Sequence, residues 1–381
     1  VKANGTTLGA DDGIGVAIIM ALLEDKNLVH GPLEALFTVN EEDGFTGIQG
    51  LNSDLLMGDI YINVDSETEG EFTIGSAGGL NIDARNNYSE ERTPGQMAGY
   101  KIAIKGLKGG HSGMDIDLGR GNAAKILSRL LWTSQRLFGL RIASFNGGDR
   151  YNAIPREAEA VVVVPKSEAD SFSEYVQEFE ATVQKELSTT EPSLAITVEN
   201  ADLPEKLLGE QSAVNLVSAV YSCPNGVLRM SDAVPGLVET STSMGILKAE
   251  NGQFWAGFLV RSSLDSARDD VGNMILSVFE LAGTNASIHD SYSGWAPDPE
   301  SPILRLMKQV YQDKFGQEPK VAAVHAGLET SVIGEKYPGM DMISVGPTLQ
   351  NVHSPDERLE ASTVPKVYEL LTETLMRVPV N

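Results

Sequence analysis

Two adjacent glutamates, Glu41 and Glu42, stand where the apolar run Leu36-Phe37-Thr38-Val39 gives way to Asn40-Glu41-Glu42-Asp43-Gly44. On extended backbone, neighbouring side chains point to opposite faces. One carboxylate of such a pair can hold a metal ion while the other stays free to move protons, a division of labour that suits metal-assisted hydrolysis. Asp11, Asp65 and His353 add two carboxylates and an imidazole at predicted turns or strand ends. With Glu42 they form a donor set of the kind zinc takes, about four ligands from His, Asp, Glu and Cys. The ordinary reading also has weight. The chain holds 53 acids, so adjacent glutamates arise by chance, and an aspartate after a strand commonly caps a helix.

Placing these side chains is the work of an α/β framework. Gly9 to Gly15 reads as a glycine-rich turn leading into an apolar helix from Ile14 to Glu24. Leu33 to Asn40 and Gly58 to Val64 read as buried strands, the first ending at the glutamate pair and the second at Asp65. Strands alternating with helices predict a mostly parallel sheet, and such sheets gather ligands outside the carboxyl ends of their strands. The texture changes after Gly75-Ser76-Ala77-Gly78-Gly79. Beyond it, strands are predicted over Tyr100 to Gly106, Glu157 to Val164 and Gln253 to Arg261. Helices are predicted over Gly121 to Leu137, Ser167 to Leu187, Ser212 to Ser222 and Asp265 to Ala282. Strand followed by helix occurs at Glu157 to Leu187 and again at Gln253 to Ala282, the pattern of a duplicated α+β unit. The α/β texture returns with a helix at Ser301 to Phe315, a strand at Met340 to Val345, the loop bearing His353 and a helix at Thr363 to Met376. The simplest architecture is an α/β catalytic domain with a mostly parallel sheet, built from residues 1–78 and 293–381, with an α+β lid domain, 79–292, inserted between.

A chain of 381 residues with 41% hydrophobic residues has room for two cores. No apolar run reaches the roughly 18 residues a membrane span needs. A net charge of −24 repels phosphate backbones and anionic lipid, so neither nucleic acid nor a membrane surface is expected as a partner. The single cysteine, Cys223, forms no internal disulfide, which fits a reducing cytoplasm. Any metal site must then draw on carboxylates and on His30, His111, His289, His325 and His353. No signal peptide is legible, and because the chain opens on Val1 rather than Met, a preceding segment is expected.

The wider motifs go further. Thr7-Leu8-Gly9-Ala10-Asp11-Asp12-Gly13-Ile14-Gly15, Asn40-Glu41-Glu42-Asp43-Gly44-Phe45-Thr46-Gly47 and Asn63-Val64-Asp65-Ser66-Glu67 together resemble the M20 metallopeptidases. Gly109-Gly110-His111-Ser112-Gly113, Asn152-Ala153-Ile154-Pro155-Arg156-Glu157-Ala158, His325-Ala326-Gly327-Leu328-Glu329 and His353-Ser354-Pro355-Asp356-Glu357 resemble the aminoacyl-histidine dipeptidase branch. They come in the family's order and span nearly the whole chain. The resemblance implies two zinc ions, with manganese or cobalt as substitutes. It implies that Asp11 bridges them and is followed by a cis peptide, that Glu42 and His353 complete one site, and that Asp65 belongs to the other. Glu41 is implied as general base, passing a proton from the attacking water to the leaving amine. From the lid, His111 is implied to stabilise the oxyanion, and Asn152 and Arg261 to hold the substrate carboxylate. Gly327 is implied to offer backbone to the substrate. His325 is assigned no catalytic role, and His30 and His289 read as surface residues.

The implied activity is a cytoplasmic, metal-dependent hydrolysis of unblocked dipeptides, including Xaa-His, by a homodimer. One departure stands out. The family carries a His-x-Asp motif well before the segment equivalent to Asp11, and no such motif precedes Asp11 here. A chain of only this extent is expected to hold the second zinc weakly, to have little activity and to expose apolar surface. Two alternatives therefore stay open: a related amidohydrolase that removes an acyl group from an amino acid, and a non-catalytic protein that keeps the fold for binding or assembly.

Overall fold

The computed structural model describes residues 1–42 and 45–379; Asp43 and Gly44 of the acidic run lie outside the described residues. In chain order, the elements that matter begin with α1 (Ala10–Glu24), β1 (Ile60–Asn63), β2 (Glu71–Ser76), β3 (Gly78–Asn87) and β4 (Met97–Lys105). There follow α2 (Ala123–Phe138), β5 (Arg141–Asp149), β6 (Ala158–Pro165), α3 (Ala169–Glu186), β7 (Ala195–Ala201) and α4 (Glu210–Ser222). The last are β8 (Val238–Glu250), β9 (Gln253–Ser262), α5 (Asp265–Leu281), β10 (Asn285–Tyr292), α6 (Pro302–Phe315), β11 (Lys320–Val324), α7 (Glu329–Lys336), β12 (Asp341–Ser344) and α8 (Val364–Arg377).

The chain divides into two compact units. The first comprises Val1–Gly78, Ser231–Leu237 and Tyr292–Asn381; the second comprises Gly79–Met230 and Val238–Ser291. The first unit is built on a four-stranded sheet in the order β1-β12-β2-β11. β1 and β12 pair in parallel, as do β11 and β2, whereas β12 meets β2 antiparallel. This sheet is mixed, with two of its three pairings parallel and one antiparallel. Sequential alternation reports which elements follow one another, not which strand ends up beside which. The core joins Ile18 and Leu22 of α1 to Phe72 and Ile74 of β2, Met307 and Val310 of α6, and Leu370 and Leu371 of α8.

A correction concerns residues 33–40, read above as a buried strand. They form no strand and are largely exposed, with Phe37 47% and Val39 72% exposed. An isolated strand leaves both rows of backbone N–H and C=O groups unpaired, and no strand among the described residues lies alongside this segment. Val16, Met20 and Leu23 of α1 are exposed as well.

The second unit is organised by a continuous sheet in the order β7-β4-β6-β5-β8-β9-β3-β10. Pairing is antiparallel from β7 to β9. β4-α2-β5-β6-α3-β7 forms one half and β3-α4-β8-β9-α5-β10 the other. Read from outer edge to seam, each half has its last, first, third and second strand in that order, and the halves meet where β5 pairs with β8. Buried apolar side chains of both halves, including Leu127, Leu130, Phe172, Phe258 and Phe279, share one core. No helix among the described residues is long and apolar enough to cross a membrane.

Candidate metal centre

The site is built from loops of the first unit that are held by an acid distant in sequence. α1 starts at Gly9, which has a positive φ of 73° and no side-chain cap. Helix N-termini leave backbone N–H groups unpaired. Here the carboxylate of Glu357 accepts them, from Leu8 N at 2.7 Å, Gly9 N at 3.1 Å and Ala10 N at 2.9 Å. Glu357 is buried. Burial acts to raise its pKa, but the N–H groups of Gly9, Ala10, Leu8 and Asp11 outweigh that and hold it below the ordinary value. The Asp11–Asp12 peptide is cis, and Asp12 Oδ1 accepts from Gly15 N at 3.0 Å. Asp11 is thereby fixed at the head of the helix.

Three predicted ligands come together. His353 Nε2 lies 2.8 Å from Asp11 Oδ2 and 3.0 Å from Glu42 Oε1. One donor atom from each of Asp11, Glu42 and His353 falls within 4.8 Å of the others. The loop holding His353 places it at φ 58°, a region that side-chain-bearing residues rarely occupy. Asp65 is not one of that trio but lies against Asp11. Its Oδ1 is buried without a hydrogen-bond partner.

The electrostatics fit a cation. Asp65 is pushed up to about 10, by burial first and then by Asp11, Asp12 and Glu41. Burial and the neighbouring acids also raise Asp12 to about 7 and Glu41 to about 7, and Glu67 is raised for the same reasons. Burial works against protonated His353, yet Glu42 and Asp11 outweigh it and hold its pKa above the ordinary value. Packed carboxylates of this kind need either protons or a cation between them. A single imidazole N–H shared between two carboxylates leaves most of their acceptor capacity unmet, which a divalent cation held by the three donors would fill. The orphaned Asp65 Oδ1 and this donor set therefore suit a hard or borderline divalent cation.

Glu41 is half-buried beside the trio and is not one of its members. It follows Asn40, whose φ is 61°. The pair stands in an irregular loop rather than at the end of a strand. Gly327 faces the rings of Tyr292 and Phe45, where a Cβ would meet Tyr292 Cε2 at 3.1 Å. His325 is buried and His30 is exposed.

The remaining predicted residues belong to the second unit. His111 Nδ1 accepts from the backbone N–H groups of Gly113 at 3.1 Å and Met114 at 3.0 Å. The ring proton must then sit on Nε2. Burial, followed by the charge of Arg261, lowers the His111 pKa, so the imidazole is a neutral donor near pH 7. Gly110 precedes it with φ 149°, a backbone conformation that side-chain-bearing residues rarely adopt. Residues 110–111 pair with 153–154, and Ser112 N donates to Asn152 O at 2.8 Å. Asn152 thus sits across a short ladder from His111. Arg261 is buried on β9 opposite Ser241.

Comparison with known proteins places this geometry in a lineage. A peptidase dimerisation domain model of the M20 group matches residues 102–191, from β4 to just past α3. The cytosol non-specific dipeptidase of Escherichia coli (strain K12) is 41% identical over 379 residues, covering 100% of this chain and 78% of that protein. The chain belongs to the M20 peptidase family. The crystal structure of the aminoacylhistidine dipeptidase from Vibrio alginolyticus superposes with a TM-score of 0.96 at 39% identity, covering 100% of this chain and 78% of that one. A more distant relative is the succinyl-diaminopimelate desuccinylase of Sulfurovum sp. (strain NBC37-1), 25% identical over 146 residues, 38% of this chain and 37% of that protein. This M20 chain therefore carries the family's dimerisation domain as an insertion in a mixed α/β framework.

Sequence reasoning gave no role to Glu357, although it quoted the motif that contains it. Its partners are backbone N–H groups 347 to 349 positions away, and no local pattern reports such a contact. His289, read as a surface residue, is half-buried among Tyr151, Asp83 and Asp290.

Proposed function

We propose that this chain is a cytoplasmic, metal-dependent dipeptidase that hydrolyses the peptide bond of unblocked dipeptides, Xaa-His among them. The observation that carries the reading is the convergence of Asp11, Glu42 and His353 with Glu41 left beside them. Asp11, Glu42 and His353 would hold one divalent cation, and Asp11 with Asp65 would turn toward a second. Zinc is the first choice for this donor set, with manganese and cobalt as substitutes. When bound, such ions polarise the scissile carbonyl and ease deprotonation of water.

The chain's own residues do the rest. Glu41 takes a proton from the attacking water as the new C–O bond forms, then gives it to the amine as the C–N bond breaks. The protonated Nε2 of His111 donates to the developing oxyanion. Arg261 and Asn152 recognise the C-terminal carboxylate, and Gly327 offers its backbone to the substrate. The matched dimerisation domain supports a homodimer, which sedimentation velocity would test.

The test of the activity is release of histidine from a panel of free dipeptides and their N-acetylated forms, with metal content measured on the same samples. Cleavage of the free forms alone supports this reading. Preference for the acylated forms would establish the amidohydrolase alternative. No hydrolysis with added metal, together with one bound ion or none, would establish a binding protein. In the same assay, Arg261→Ala is expected to weaken free dipeptides far more than C-amidated ones.

A further inference from the structure

The second unit holds a polar cluster that the proposed chemistry does not use. Asp83, on β3, is largely buried, its side chain 14% exposed. Its Oδ1 accepts from the Tyr151 hydroxyl at 2.6 Å and from Trp255 Nε1 at 2.6 Å. Its Oδ2 accepts from Arg85 Nε at 3.0 Å and Nη2 at 2.9 Å. The Arg85 guanidinium lies 4.2 Å over the Trp255 ring. His289 Nε2 approaches Asp83 Oδ2 at 3.7 Å, and its Nδ1 meets Asp290 at 2.6 Å. A carboxylate that gathers so many donors is a rigid anchor, because charge-assisted hydrogen bonds are the strong ones.

What this anchor holds is a single turn. Tyr151 precedes Asn152, and Ala153 N closes the turn onto Arg150 O at 3.4 Å. The Tyr151 ring fits only because residue 257 is glycine, where a Cβ would meet Tyr151 Cε1 at 2.9 Å. Gly245 likewise gives way to the turn's backbone, where a Cβ would meet Arg150 O at 2.1 Å. Asp83, Trp255 and His289 come from β3, β9 and β10 of one half of the sheet, whereas Asn152 follows β5 of the other half. The phenol is thus a strut across the seam.

We propose that Tyr151, anchored on Asp83, is a positioning residue that sets the aim of Asn152 toward the substrate carboxylate. This rests on the role given to Asn152 above. A hydroxyl bonded to a largely buried carboxylate fixes the residue immediately before Asn152, which carries the recognition amide. Loss of that bond leaves the fold and the chemistry intact but lets the amide wander.

The experiment compares kcat/KM for free and C-amidated forms of one dipeptide in the full chain, with thermal unfolding run alongside. Tyr151→Phe is expected to lower the free-to-amidated ratio by about tenfold, through KM, the effect of one hydrogen bond to a charged group. Asn152→Ala is expected to lower it at least as far, and the double variant no further than Asn152→Ala alone, because the two act as one unit. A purely structural role would lower both substrates together and leave the ratio unchanged. A normal ratio in Tyr151→Phe beside a collapsed ratio in Asn152→Ala overturns the positioning role. An unchanged ratio in Asn152→Ala overturns the reading of Asn152 itself. Should Tyr151→Phe fail to fold, Asp83→Asn takes its place and is judged by the same ratio.

Discussion

At the residue scale, the decisive distinction is between the two neighbouring glutamates. Glu42 shares its position with Asp11 and His353, and Glu41 does not. Glu41→Gln keeps the shape and removes the proton acceptor. Turnover is expected to fall by roughly 10²- to 10⁴-fold, with metal content by mass spectrometry near that of the wild type. Loss of metal in that variant would make Glu41 a ligand and undo the assignment. Glu357→Gln tests a different link. The amide oxygen still accepts from part of the Leu8–Ala10 backbone, but its NH₂ opposes the N–H groups it faces. Metal affinity by competition with a chelator is expected to drop about 10- to 100-fold, the usual effect of disturbing the groups that orient ligands. Unchanged affinity would mean that the head of α1 holds its form without Glu357.

At the element scale, α2 shows what local sequence can and cannot say. Its apolar spacing was legible, and it buries Leu127, Leu130 and Leu131. Its cap does more than the sequence suggests. Asn122 Oδ1 accepts from Ala124 N and Lys125 N, while its Nδ2 donates to Met244 O at 2.9 Å and to Asn225 Oδ1 at 3.2 Å. Asn122→Ala is expected to cost about 1–3 kcal/mol of stability, read by denaturant unfolding, because it removes a cap and strands a buried carbonyl. A loss below the lower figure would show that water replaces the amide. The misread segment, residues 33–40, failed for the opposite reason. Its apolar composition is that of a strand, but a strand exists only through a partner, and composition does not reveal whether one lies alongside. The convergence of Asp11, Glu42 and His353 was legible because each sits in a distinctive local motif. Tyr151 and Glu357 act through partners far along the chain, contacts that no local pattern reports.

At the scale of the whole molecule, the second unit repeats one strand–helix plan twice and closes both copies into one sheet through β5 and β8. The halves are not consecutive, however. β3 belongs to the later half, yet it is made before any strand of the earlier one, and it lies between β9 and β10. On the ribosome, residues 78–87 therefore emerge long before residues 253–262 and 285–292 exist to flank them. Long-range pairing of this kind slows folding and leaves edges open to other chains. A fragment ending at Met230 would carry β3 with neither neighbour, and it is expected to aggregate in a light-scattering assay where the full chain stays clear. Synthesis of this protein thus includes a long interval in which the first strand of its second unit lacks both of the neighbours that flank it in the finished sheet.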